Sequence, residues 1–269
     1  MFIFQSMNHV SLFIALTVFL IISVVQKQSP FTSIGIFFSQ AFSSGKYVLH
    51  LIAVIAILFL NKIELRVEDL YKFHNDFTPW VYRIEGHLVA WIQQSFEHNS
   101  LTWILTYFYI VVFPALMIAS IGVYTSQRNL NIFYMFCYAI ILNYLVATPF
   151  YLFLQVNEVW FYPPADVKSL IPVAFPTFEQ EYRPLSGLDN CFPSLHTSIS
   201  ITVAVIASRS GSRIWSWLAW IIAVIIIFSI FYLGIHWFTD MLGGILLAVV
   251  SLKLAGFISG RIAKKAHLP

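Results

Sequence analysis

Charge is the scarcest thing in this chain. Only 12 acidic and 15 basic residues occur among 269, or 10%, where a soluble domain carries about 25%. That is too little to cover a water-facing surface, so the bilayer is the solvent for most of the exterior. Cysteine is nearly absent too: Cys137 and Cys191 are the only two, which excludes a disulfide framework. Cys137 lies in an apolar run and reads as a buried free thiol. The net charge of +3 is not clustered, so nothing suggests a nucleic-acid partner. No Lys or Arg precedes the first apolar run, which argues against a secretory signal and for a spanning helix. No internal repeat or low-complexity stretch is visible.

Hydrophobic residues make up 59% of the chain and aromatics 17%. A spanning helix needs about 20 mainly apolar residues. Seven stretches qualify: 8–25, 47–60, 101–124, 130–156, 192–207, 214–235 and 237–259, the second and fifth being short. The expected fold is therefore an all-α integral membrane protein of about seven spans. Within the mixed segment 62–99, Trp80, Ile84, Leu88, Trp91, Ile92 and Phe96 recur at helical spacing. This reads as an amphipathic helix lying at the membrane surface. The whole chain reads as one membrane domain, with N-terminal helices over 1–156 and a catalytic core over 157–259.

Loop cations set the orientation. Lys27, Lys46, Arg128, Arg209, Arg213, Arg261, Lys264 and Lys265 all fall on one side of a seven-span chain. That side is expected to be cytoplasmic, with the N-terminus and the 158–191 loop on the other. Lys62, Arg66, Lys72 and Arg83, in the second loop, argue the other way.

Two strings carry chemistry. Phe192-Pro193-Ser194-Leu195-His196-Thr197-Ser198 opens the fifth span, and Gly234-Ile235-His236-Trp237-Phe238-Thr239-Asp240 joins the sixth to the seventh. One helix runs down and the next returns, so both strings reach the same membrane face. His236 and Asp240 are four apart and share a helix face. A carboxylate beside an imidazole fixes its tautomer and raises its basicity, as a histidine attacking phosphorus requires. His196 can protonate the departing oxygen and then deprotonate the incoming water or alcohol. Ser194 and the amides around it can hold phosphate oxygens or cap the helix. Arg183 and Lys168, in the 158–191 loop, are candidate phosphate-binding cations. The other histidines, His9, His50, His74, His87, His98 and His267, read as hydrogen-bonding groups at the interface. His196, His236 and Asp240 could also bind zinc, but no His-Glu-x-x-His, cysteine pair or second carboxylate cluster accompanies them.

The two strings resemble the second and third signature motifs of the type 2 phosphatidic acid phosphatase (PAP2) superfamily, Pro-Ser-x-His and His-x-x-x-Asp. The resemblance covers roughly residues 163–244. It implies a PAP2-like helix bundle, His236 as a nucleophile that carries a phosphohistidine, Asp240 as its partner, and His196 as general acid and base. It also implies chemistry without metal or other cofactor. The first motif should be a lysine, six residues, then Arg-Pro; Arg183-Pro184 supplies its end, but Pro176 stands where the lysine should be. The phosphatase branch opens its third motif with Ser-Arg, where this chain has Ser229 and Ile230, and many phosphatases have glycine at Leu195. These departures, with Tyr162-Pro163-Pro164, resemble the inositol phosphorylceramide synthase and sphingomyelin synthase branch.

The expected activity is hydrolysis of a lipid phosphate or diphosphate, with membrane lipids as surroundings. One alternative is transfer of a phosphoryl-alcohol headgroup between lipids, using the same residues. Another is a non-enzymatic transporter, for which the paired interrupted helices expected of that class are not seen.

Overall fold

The computed structural model describes residues 4–71 and 75–266. Lys72, His74 and His267 lie outside the described residues. Among the described residues twelve α-helices follow one another: α1 (Met7–Gln26), α2 (Pro30–Ser43), α3 (Gly45–Tyr71), α4 (Thr78–Glu85), α5 (Leu88–Phe96), α6 (Asn99–Tyr107), α7 (Phe113–Ser126), α8 (Leu130–Phe153), α9 (Phe178–Glu181), α10 (Leu195–Ser208), α11 (Arg213–Tyr232) and α12 (Phe238–Ala266). Among the described residues six helical stretches are long and apolar enough to cross a membrane, and α10 is a shorter apolar helix among them. Helices suit this composition because a helix satisfies its backbone polar groups internally where no water can. The seven expected stretches therefore all lie on helices of an all-α membrane bundle.

Two features differ from the sequence reading. Residues 30–43 form a helix, begun by Pro30 at its first position, where proline's missing N–H costs nothing; the sequence suggested only a loop. The amphipathic segment is two helices, α4 and α5, broken at Gly86, whose φ of 56° is one glycine adopts freely. Trp80, Ile84, Trp91 and Phe96 on these helices are exposed, as an interfacial face requires.

The span α6–α7 is continuous through a π-helical turn at Phe108–Val112. Pro114 explains it: proline has no N–H to donate and crowds the carbonyl four residues back, here Ile110, inside the turn. Such bulges often sit at functional sites. This one carries Tyr109.

Helices α10, α8 and α12 pack together. Asn143 on α8 accepts a short hydrogen bond from the Ser198 hydroxyl of α10 and donates to Thr202 at 3.3 Å. Buried pairs like this tie helices together where lipid offers no hydrophobic drive. Closeness of α12 to α10 depends on Gly244. A Cβ there would lie 2.6 Å from the Ser194 carbonyl oxygen, so the contact is backbone against backbone.

Contacts fix which helix ends share a face. The Met7 amide donates to Glu181 at 2.6 Å, Asn190 donates to Glu64 at 3.2 Å, and the Phe4 amide donates to the Ala174 carbonyl. The start of α1, the end of α3 and the 158–191 loop thus meet at the end where α10 and α12 begin. The basic ends at Lys27, Lys46, Arg128, Arg209 and Arg213 lie at the other.

Candidate active site

Helix α11 ends at Tyr232, and Gly234 turns the chain with φ 81°. The Ile235 and His236 amides both donate to the Ile230 carbonyl, at 3.0 and 3.1 Å, which fixes the turn that carries His236. Helix α12 starts two residues later than His236, not at it. Asp240, in the first turn of α12, nevertheless reaches back. Its Oδ2 lies 3.2 Å from His236 Nδ1 and accepts the Trp237 amide at 2.8 Å. Both side chains are buried. An N3 carboxylate accepting the N-cap amide is half of a capping box, so the spacing that caps the helix also delivers Asp240 to the imidazole.

The second string meets the first through its backbone, where the Ser194 amide donates to the Asp240 carbonyl at 3.0 Å. The Ser194 hydroxyl accepts from the Thr197 amide at 3.3 Å and is fully buried. It is a helix cap here and does not line the cavity described next. His196 follows in the first turn of α10. Its ring stacks on Tyr109 and packs on Phe113, each with centroids 4.3 Å away, and lies 5.9 Å from the His236 ring. His196 Nε2 and Asp240 Oδ1 have no hydrogen-bond partner among the described residues.

Both histidines open on a cavity of about 160 Å³, walled by Tyr109, Phe113, Tyr144, Tyr151, Tyr182 and Glu158 among others. Among the described residues no lysine or arginine lines it. Arg183 stands just behind. It pairs with Glu158 through both terminal nitrogens, at 2.5 and 2.9 Å, and with Glu179 at 3.0 and 3.1 Å. Only 13% of its side chain is exposed. Burial pushes the Glu158 carboxyl above its ordinary range, against the pull of Arg183 and a short hydrogen bond from the Trp160 indole. Arg183 is pushed up by its two carboxylates in spite of burial.

Of the six candidate residues, then, His196, His236 and Asp240 come together, Arg183 lies one side chain behind the cavity, and Ser194 turns into its helix. Lys168 does not join them: its side chain is 74% exposed and points to Glu97 at 3.7 Å, outside the cavity lining. The family's missing arginine position, Ile230, is fully buried apolar core. The sequence reading gave Glu158 and Tyr109 no role and took Tyr182 for an interfacial aromatic, whereas all three line the cavity. A carboxylate just after a span was a readable signal for Glu158; nothing local marked the tyrosines. Cys191, His236 and Asp240 bring metal-ligand atoms within 4.8 Å of one another, though the Cys191 thiol donates to the Ile235 carbonyl.

No solved structure matches the chain at a significant level. An Escherichia coli (strain K12) protein named "Putative undecaprenyl-diphosphatase YbjG" is 41% identical over 80 residues, 29% of this chain and 40% of that protein. The chain thus spans well under two thirds of that relative. The profile described as PAP2 superfamily matches residues 80–254, from α4 through both histidine strings and most of α12, and on that match, with paired histidines and a buried aspartate at one membrane face, the chain belongs to the PAP2 superfamily.

Proposed function

We propose that this protein is a membrane lipid phosphatase that works through a phosphohistidine. The observation that carries the reading is the buried His236–Asp240 pair facing His196 across a small cavity. With Nδ1 oriented by Asp240, the other ring nitrogen of His236 carries the lone pair that attacks phosphorus. The phosphorus–oxygen bond to the lipid leaving group breaks as His196 delivers a proton to that oxygen. Water then attacks the phosphohistidine, His196 takes its proton, and phosphate leaves with His236 restored. Tyrosine-rich walls limit bulk water around the reacting phosphate.

A lipid diphosphate is the favoured substrate class, since the similar E. coli protein bears that activity in its name. The N-terminus and the 158–191 loop face away from the cytoplasm in this reading, because the opposite end carries the loop cations.

One observation favours the second reading, headgroup transfer. With no cation in the lining and Arg183 engaged by two carboxylates, a singly charged phosphodiester enters at less electrostatic cost than a phosphomonoester dianion. The test is phosphate release by detergent-solubilised protein from a panel of lipid phosphates and diphosphates, with EDTA, for wild type and His236→Ala. Histidine-dependent release supports hydrolysis. A new headgroup lipid from a labelled ceramide or diacylglycerol acceptor, with no free phosphate, replaces it by transfer.

A further inference from the structure

Helix α12 begins where buried Trp237 gives way to exposed Phe238, and its first amides need acceptors. Three successive N–H groups are accounted for by carboxylates. Trp237 donates to Asp240 Oδ2 at 2.8 Å, Phe238 donates to Glu85 Oε2 at 2.7 Å, and Thr239 donates to Glu85 Oε1 at 2.6 Å. Glu85 is 153 residues away in the chain and ends the interfacial helix α4.

This placement has a consequence for the nucleophile. Asp240 has two oxygens and two tasks, the Trp237 amide and the His236 ring, and both fall on Oδ2. The amides of Phe238 and Thr239 are its near neighbours and carry the positive end of the helix dipole. Unpaired, they would draw on the same carboxylate, whose Oδ1 has no partner among the described residues, and turn it away from the ring. A second carboxylate that saturates them leaves Asp240 to the imidazole. The segment bearing Glu85 is itself anchored: Gln93 on α5 bonds to the Lys168 amide at 2.9 Å, to the Lys168 carbonyl at 2.9 Å and to the Tyr232 carbonyl at 3.0 Å. These hold α5 against the turn that leads to His236.

We infer that Glu85 is a positioning residue for the phosphatase site, capping α12 from the interfacial helix so that Asp240 stays committed to His236. The inference rests on the reading of His236 as nucleophile. Glu85 does not line the cavity and acts through Asp240.

The experiment compares wild type, Glu85→Gln and Glu85→Asp in detergent by two independent readouts. The first is steady-state phosphate release from a lipid diphosphate, with Tm recorded alongside. The second, which needs no turnover, is the ¹⁵N signal of the His236 ring in histidine-labelled protein, assigned by its loss in His236→Ala. In Glu85→Gln, an NH2 group replaces one acceptor. The expected result is a fall in kcat of about ten- to a hundredfold, on the order expected for a slight misplacement of a reacting group, with KM within about twofold. The His236 signal moves from a single held tautomer toward an average, and Glu85→Asp recovers part of both. An unchanged kcat and ring signal would overturn the proposal, as would a rise in KM alone. Equal loss of Tm and kcat in both variants, with the ring signal unmoved, would reduce Glu85 to a structural cap and overturn it too. If wild type releases no phosphate from any lipid, the phosphatase reading fails, and the ring signal alone decides the case for Glu85.

Discussion

At the scale of single residues, the proposed reading separates groups that react, His236 and His196, from groups that hold charge, Arg183 and Glu158. Asp240→Asn keeps the shape of the side chain but can turn an NH2 toward His236 Nδ1. It should lower kcat by about 10³- to 10⁴-fold, as loss of the orienting carboxylate does in a catalytic triad, with little change in Tm. Activity close to wild type would remove Asp240 from the mechanism. Arg183 behaves differently because its partner Glu158 is buried, with 5% of its side chain exposed. Arg183→Ala strands that carboxylate, and loss of one member of a buried pair costs about 3 to 5 kcal/mol. A chemical-denaturation midpoint shared with wild type would show the pair to be solvated. Glu158 also sets a pH dependence. Its folded pKa is raised, so its contribution to stability is complete below the ordinary glutamate value of about 4.3. That contribution is lost as pH rises through the raised value. The Tm of wild type should decline across that window, and Glu158→Gln, which does not titrate, should flatten the decline. His196, His236 and Asp240, the residues proposed to act, were legible in the sequence because each sits in a short string whose spacing has a geometric meaning. Lys168 misled because a loop cation carries no such constraint: its side chain went to solvent and Glu97, while its backbone bonds to Gln93.

At the scale of elements, the spans were legible because apolar length alone decides them in a bilayer. What joins them was not. Helix α2 is interrupted by Thr32, Ser33, Gly35, Ser39 and Gln40, so it lacks the long apolar run by which the spans are recognised. The π turn at Phe108–Val112 follows from Pro114, yet sequence cannot say that the turn presents Tyr109 to His196. The approach of α12 to α10 is a similar case, with Gly244 as its visible mark. Gly244→Ala sets a methyl 2.6 Å from the Ser194 carbonyl oxygen, which has no flexible end to move aside. The helices must part by some tenths of an ångström, and the two strings part with them. The expected outcome is a drop in kcat of about tenfold or more, on the scale of small misplacements at a reacting centre. Gly260→Ala, where an added Cβ meets nothing within 4 Å, serves as the control in the same phosphate-release assay. Equal rates in both variants would show that the helix contact does not set the site.

At the scale of the whole molecule, the question is which side of the membrane the site opens on. The bundle gathers the 158–191 loop and both histidine strings at one end and most of its loop cations at the other, and the orientation proposed here puts the cation-rich end in the cytoplasm. The second-loop cations count against this, because Lys62 and Arg66 lie on the last part of α3 and Arg83 on α4, all at the site end. Sequence alone could not weigh them, since it placed the segment in a loop without showing what it touches. Cysteine labelling decides the matter, because both native cysteines are buried and give little background. Lys168→Cys puts a thiol at a strongly exposed position on the site end, and Ser210→Cys puts one in the turn between α10 and α11 at the other. In intact cells a membrane-impermeant maleimide should label the first and spare the second until the membrane is permeabilised. The reverse pattern would turn the bundle over and place the histidines on the cytoplasmic face, where a lipid phosphate made inside the cell would meet them without first crossing the bilayer.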